Sequence, residues 1–431
     1  MPKADTVLPN LDEAVALQEE RGRALEHELA SRQAQLPLRF WRQQAHFTTP
    51  AERDMAFKAL TGGTAAMGRI LDRFGVAPES LAVRMGADPA AVAALLETPR
   101  LAPLVMVDAE DAIAHTNEAV VQARLDAVEI IGAEVPSERG LPSLRFFRPP
   151  GLALGSTARE LYSLLWGLVD RFGADSIPLD GIIFPKVDHP EEVDLVHQML
   201  SEAERALGIR EGSLRTAYLV ESGWAVSQLD RIAIRAADRL CALVFGLADY
   251  SADLALPTIS NDHVMADWAR ARIVNVAAGV GVPAIDGMTL AYPVADPTLT
   301  AEANRERFLD RMALVYADAV RAQSMGMSGK WVGHPAQLFA VLLAYDATSD
   351  AEALEHEAGK LAAYGESVHG AGKGATMIDG IMSDRATDRH ARVVLRRAVA
   401  MGRFDARRAA ELGVIDDLEL AEVMVQPTDE R

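Results

Sequence analysis

The run Thr216–Asp253 decides the reading: it opens T-A-Y-L-V-E-S-G-W, continues for the length of a helix, and ends L-C-A-L-V-F-G-L-A-D-Y-S-A-D. Ala217–Val220 and Leu240–Phe245 are continuous apolar runs, the pattern of strands buried on both faces of a parallel sheet. An acid follows each: Glu221 directly, and Asp249 beyond a turn at Gly246. Strand ends of one polarity open on one face of a parallel sheet, so the two carboxylates can meet there, with Asp253 close behind. Such a group suits a hard divalent cation such as Mg²⁺, which takes oxygen ligands and keeps several of its waters. The alternative is that the same acids simply cap the helices that follow them.

Outward from this stretch the pattern repeats. Short apolar runs stand at Leu81–Met85, Leu104–Val107, Leu144–Phe147, Gly181–Phe184, Pro283–Ile285 and around Ser324–Val332, and helical patterns fill the gaps between them. Asp88-Pro89 reads as a cap followed by proline in the first turn, and Thr157-x-x-Glu160 as a capping box. Eight strands alternating with helices over about 250 residues is the arithmetic of a (β/α)₈ TIM barrel. An open doubly wound sheet is the rival, but no glycine-rich phosphate turn follows the first strand. The expected division is a helical extension over 1–80, the α/β barrel over 81–345, and a C-terminal helical lid and tail over 346–431. Phe40, Trp41 and Phe47 should dock the extension on the barrel or on a neighbouring subunit. In the lid, Gly370–Gly374 reads as a joint leading to M-I-D-G-I-M-S-D.

The chain has 431 residues with a formal net charge of -19, which argues against a nucleic-acid surface built on clustered Lys and Arg. Cys241 is the single cysteine and sits in an apolar run, so it reads as a buried inert thiol. No basic-then-apolar leader opens the sequence and no apolar run reaches membrane-spanning length, so a cytoplasmic protein away from membranes is expected.

Charged residues gather at the expected C-terminal strand ends, the catalytic face of a barrel: Asp108, Glu110 and Asp111, then Arg145 and Arg148, Lys186, Glu221, Asp249 and Asp286. Acids facing a few cations would bind Mg²⁺ with a carboxylate-bearing ligand, which arginine meets bidentately. Each residue alone could instead form a salt bridge that holds the rim. Asp286 and Asp111 are candidates for orienting the metal ligands, Trp331 for stacking on a ligand, and His334 for touching it.

These residues resemble the HpcH/HpaI aldolase/citrate lyase family, in particular its citrate lyase beta subunit, malyl-CoA lyase and citramalyl-CoA lyase branch. V-M-V-D-A-E-D-A-I is similar to the family's L-D-L-E-D-A-V, G-I-I-F-P-K-V to its P-K-V strand, Y-L-V-E-S-G to I-E-T-x-x-G, and L-V-F-G-L-A-D-Y-S-A-D-L to F-G-x-x-D-x-x-x-D-L. A-I-D-G, G-K-W-V-G-H-P and D-G-x-M-x-D complete a series running from about Leu81 to Met401. The resemblance implies Mg²⁺ on Glu221 and Asp249, an arginine at Arg145 on the acid or acyl oxygen, and Asp384 as acid/base from a neighbouring subunit. The arginine motif departs from the family's R-V-N, reading R-F-F-R, so Arg148 could share or take over that role. V-R-M-G-A-D-P replaces the family's V-P-G-x-R-P, with Arg84 at a proline position.

The implied activity is a Mg²⁺-dependent carbon–carbon lyase, cleaving a carboxylated 3-hydroxyacyl-CoA to a 2-oxo acid and an acyl-CoA in a homo-oligomer. Lys186 and Arg145 are the expected binding cations. An acyl-CoA thioesterase on the same scaffold, an aldolase for free 2-oxo acids and a non-catalytic metabolite-binding barrel are the alternatives.

Overall fold

The computed structural model describes residues 12–30, 36–113, 116–138, 141–347, 351–371, 375–378 and 381–424. Eight parallel strands close into a barrel: β1 (Ala45–Pro50), β2 (Leu104–Asp108), β3 (Leu144–Arg148), β4 (Gly181–Phe184), β5 (Arg215–Val220), β6 (Leu240–Phe245), β7 (Ala284–Asp286) and β8 (Gly329–Val332). Each strand lies beside its sequence neighbours, and β1 closes the ring by pairing with both β2 and β8. Every residue of β2, β4 and β6 is buried, because the barrel interior takes one side of each strand and the surrounding helices take the other. The (β/α)₈ expectation is met, and seven of the eight strands overlap the apolar runs read from the sequence.

The first strand is the exception. Leu81–Met85 is the last part of the helix Pro78–Met85, with proline at its start and Gly86 in the left-handed region as its cap. The first barrel strand is instead Ala45–Pro50, A-H-F-T-T-P, which lies inside the segment expected to be a helical extension. Its polar residues are accommodated rather than exposed: His46 is buried, with Nε2 at 2.9 Å from Gln43 Oε1, and burial pulls its pKa down to about 3. Gln43 also donates to the Cys241 carbonyl at 3.0 Å, tying the segment before β1 to β6.

Phe40 is buried and meets Phe146 edge-on at 6.3 Å, so it docks on the barrel as expected, whereas Phe47 lies in β1 and is part of the barrel itself. The helix Asp12–Ala30 behaves differently: Val15, Leu17 and Leu25 are exposed.

A second apolar cluster forms beyond the barrel. Leu354, Leu361, Ala391 and Leu395 from the C-terminal helices, with Phe404 from a turn between two of them, pack with Leu38, and Trp41 lies against them. Leu38–Trp41 leads into the start of β1, so these helices are anchored at the face where the strands begin, opposite the C-terminal strand ends. Arg397 lies over the Trp41 ring at 5.4 Å, and Arg403 pairs with Asp346. A short hairpin, Thr376–Ile378 with Ile381–Ser383, precedes the helix Arg385–Ala400. Of the expected Gly370–Gly374 joint, the first two residues end the helix Ala351–Ala371, and 372–374 lie outside the described residues. Among the described residues, no helix is long and apolar enough to cross a membrane.

Candidate active site

The C-terminal ends of β2 to β6 deliver a linked set of charges. Arg148, the last residue of β3, donates from Nε and Nη2 to the two oxygens of Asp108 at 2.7 and 2.5 Å. Its Nη1 lies 3.0 Å from Glu110 Oε2 and 3.7 Å from Asp111 Oδ2. Burial alone would lower the guanidinium's affinity for its proton, but the three acids raise it above the usual arginine range. The guanidinium also lies 5.4 Å from the Trp331 ring centroid, a cation–π contact.

Lys186 links this group to the next strand. Its ammonium donates to Glu110 Oε1 at 2.6 Å and lies 3.4 Å from Asp111 Oδ1. Its backbone N–H donates to Glu221 Oε1 at 2.7 Å. Lys186 has φ 54°, a left-handed conformation that a lysine adopts only when its surroundings hold it there. That turn aims the N–H at Glu221 while the side chain reaches back to β2. Burial lowers the ammonium's pKa, yet its hydrogen bond to Glu110 and the nearby carboxylates leave it above the ordinary lysine value. Burial raises the pKa of Glu110 itself.

Glu221 directly follows β5 and is buried. Its pKa is pushed up to about 8, first by burial and then by the charge of Asp249, against the help of the Lys186 N–H. Asp249 sits in the first turn of the helix Leu247–Asp253 after β6. Glycine at 246 permits the approach: a Cβ there would come within 2.7 Å of Glu221 Oε2. Two carboxylates that repel each other, one of them buried, form a donor set that a divalent cation relieves, so these residues fit Mg²⁺. Among the described residues no group of three or more His, Cys, Asp or Glu gathers as a metal cage; a Mg²⁺ ion that keeps several waters needs only one or two carboxylates.

Asp249 and Arg148 open on a cavity of about 130 Å³ lined also by Asp111, Leu247, Met288, Leu290 and Trp331. The structure therefore brings Arg148, Lys186, Glu221 and Asp249 to one mouth. It does not bring Arg145 there. Alternation along β3 turns that side chain outward, where it donates to the Ile131 carbonyl at the end of a surrounding helix, and burial lowers its pKa. Of the two arginines, Arg148 is the one at the site. Asp384 is the N-cap of Arg385–Ala400, accepting from the amides of Ala386 at 2.8 Å and Thr387 at 3.2 Å, and it does not line the cavity. Asp286 is held by Arg270 at 2.7 Å and by the buried Lys330 at 2.6 Å, and those cations keep its carboxyl below the usual range despite burial. His334 caps the helix Pro335–Asp346.

Sequence reasoning passed over Met288, Leu290 and Lys330. A lysine inside the apolar G-K-W-V run was a usable signal, since a buried ammonium demands a partner. Met288 and Leu290 carried none, being ordinary apolar residues in a loop.

The family described as "Domain of unknown function (DUF6986)" matches residues 154–426. The chain is 29% identical over 313 residues to an L-malyl-CoA/beta-methylmalyl-CoA lyase of Cereibacter sphaeroides, across 69% of this chain and 87% of that one. It is 31% identical over 212 residues to the enzyme of the same name from Haloarcula marismortui, across 48% of this chain and 58% of the relative. In structure it is similar to a citrate lyase from Burkholderia xenovorans LB400, with a TM-score of 0.58 at 21% identity over 88% of this chain and 97% of that one, a likeness of fold. The two lyases agree by name with the motif resemblance to the malyl-CoA lyase branch of the HpcH/HpaI aldolase/citrate lyase family.

Proposed function

The chain belongs to the DUF6986 family, and from that premise we propose that it is a Mg²⁺-dependent carbon–carbon lyase that reversibly cleaves a carboxylated 3-hydroxyacyl-CoA, of malyl-CoA or citramalyl-CoA type, to a 2-oxo acid and an acyl-CoA. The observation that carries this reading is the meeting of Glu221, Asp249 and Arg148 at one barrel mouth. The relatives named malyl-CoA lyase support it.

Glu221 and Asp249 would hold the Mg²⁺, which when bound polarises the oxo-acid carbonyl as a Lewis acid. Lys186 keeps Glu221 oriented through its backbone N–H and, half-exposed, offers an ammonium to the anionic ligand. Arg148 stabilises the enolate oxygen that develops on the thioester half, in the role expected of Arg145. Asp108 grips the Nε–Nη2 edge of that guanidinium and so fixes its plane. Asp384 exchanges the proton with the substrate hydroxyl or the acyl α-carbon. It does so from a neighbouring subunit of a homo-oligomer, because the helix it caps packs at the far face of its own barrel. The setting is the cytoplasm.

The test is direct. Purified protein is given glyoxylate or pyruvate with acetyl- or propionyl-CoA, with and without Mg²⁺, and products are separated by mass. A carboxylated hydroxyacyl-CoA that requires Mg²⁺ and disappears in Glu221→Gln is the expected result. Thioester hydrolysis without condensation, or activity indifferent to Mg²⁺, would replace this reading.

A further inference from the structure

Beside Asp111, Arg148 and Asp249 the cavity lining is apolar, with Met288 and Leu290 supplied by the segment Gly287–Tyr292, which four hydrogen bonds tie to its surroundings. Lys330 Nζ donates to the Gly287 carbonyl at 2.7 Å. Thr289 donates from Oγ1 to Asp318 at 2.8 Å and accepts at its carbonyl from Gln337 Nε2 at 2.8 Å. Arg311 donates to the Tyr292 carbonyl. A further hydrogen bond lies within the segment: the Tyr292 hydroxyl donates to Met288 Sδ at 2.9 Å. A loop that only connects β7 to the next helix has no need of so many ties.

Gly333 explains how the last contact is reached. A Cβ at that position would lie 2.3 Å from the Tyr292 oxygen and 3.2 Å from the Met288 methyl carbon. The phenol therefore occupies space that any other residue at 333 would fill. Its ring is rigid and partly buried, and burial raises its pKa, so the hydroxyl stays protonated and able to donate. Gly333 in turn is held in place by its N–H to Gln337 Oε1 at 3.0 Å, the same side chain that holds Thr289. Gly333, Tyr292 and Met288 thus form a strut that ends in the cavity wall.

We propose that Met288, braced by Tyr292 in the space left by Gly333, is the end stop that sets the chain length of the 2-oxo acid, admitting a two- or three-carbon acid and turning away longer ones. The inference rests on the lyase reading for the identity of the ligand class. The cavity of about 130 Å³ is small, which suits a short oxo acid with its carboxylate and carbonyl toward the charged residues and its hydrogen or methyl toward Met288. Leu290 and Trp331 would close the flanks. An apolar stop discriminates by the methylene, and one methylene too many in such a pocket is worth roughly 10–200-fold.

The experiment is a ladder of ligands: glyoxylate, pyruvate, 2-oxobutyrate and 2-oxovalerate, titrated with Mg²⁺ by calorimetry into wild type, Met288→Ala, Tyr292→Phe and Gly333→Ala. Condensation with acetyl-CoA is followed in parallel. Wild type should bind the first two and discriminate against the longer acids. Met288→Ala should improve 2-oxobutyrate relative to glyoxylate by at least tenfold, in KM more than in kcat. Tyr292→Phe, which keeps the ring but frees the sulfur, should shift the same ratio in the same direction by a smaller factor. Gly333→Ala should weaken even pyruvate if it folds, and Tyr292→Phe carries the argument if it does not. An unchanged order of preference in a folded Met288→Ala protein overturns the proposal, as does a wild type that binds no oxo acid. A ladder that shifts in binding while no variant forms a carbon–carbon bond retains the end stop and removes the lyase reading instead.

Discussion

Replacing Glu221 by glutamine tests the acid pair through stability, without reference to substrate. The Glu221 carboxyl rises from its ordinary 4.5 to about 8 in the folded protein, through burial and then the charge of Asp249. A group whose folded value lies above its unfolded one contributes stability that is complete below about pH 4.5 and is lost as the pH climbs through about 8. At ~1.36 kcal/mol per unit, the interval from 4.5 to about 8 corresponds to on the order of 5 kcal/mol. Urea unfolding in EDTA, repeated at half-unit steps over that interval, should therefore give a stability that falls with pH in wild type more steeply than in Glu221→Gln, which has no proton to lose. Mg²⁺ should offset about half of that fall, because it takes only the ionised carboxylate. At a hundred times its dissociation constant it should add about 2.7 kcal/mol, most fully near pH 8 and least near pH 5. Identical slopes in wild type and variant would refute the claim that Glu221 is a buried acid strained by its neighbour.

Arg148→Ala should cut turnover by roughly 10²–10³ and also lower the melting temperature, since it leaves Asp108 buried without its cation and Glu110 with Lys186 alone; Arg148→Lys should recover part of the stability and little of the turnover. Arg145→Ala should leave kcat within about threefold, well short of that loss, and be visible only as a loss of about 1.5–3 kcal/mol from the helix-end carbonyl it serves; a kcat as low as that of Arg148→Ala would restore Arg145 to the site. Asp384→Asn keeps the helix cap, which asparagine makes as well as aspartate, so thermal stability should hold while turnover drops by roughly 10²–10⁴. Mixing that variant with an Arg148→Ala protein under subunit exchange should recover activity, and no recovery despite proven exchange would reject a site shared between neighbours.

The barrel was legible because seven of its strands carry mostly apolar runs, wholly buried in β2, β4 and β6. β1 was not, because A-H-F-T-T-P contains His46 and two threonines whose polar atoms must find partners within the fold, which no local pattern announces. Leu81–Met85 misled for the opposite reason: five mostly apolar residues fit a strand, while Pro78 and Gly86 at its flanks marked a helix. At the site, the acids could be read from their positions after strands. Choosing between Arg145 and Arg148 required the parity of β3, since residues one apart face opposite sides and residues three apart do as well. The strut from Gly333 to Met288 was beyond reach, because it joins two loops through a hydroxyl, a sulfur and the absence of a side chain.

The way β1 shuts the ring bears on which pieces of this chain could live alone. A fragment beginning at 81 would strip β1 from between β2 and β8 and leave both with rows of unpaired amides and carbonyls. The segment that the family shares, 154–426, would be worse placed: it begins after β3, so β4 and β8 would become raw edges, and Asp108 and Arg148 would be gone. A stretch matched by a family model need not be a unit of folding. Expressed by itself, such a fragment should seek another copy's edges, and a soluble preparation would need the first hundred and fifty residues supplied in the same tube.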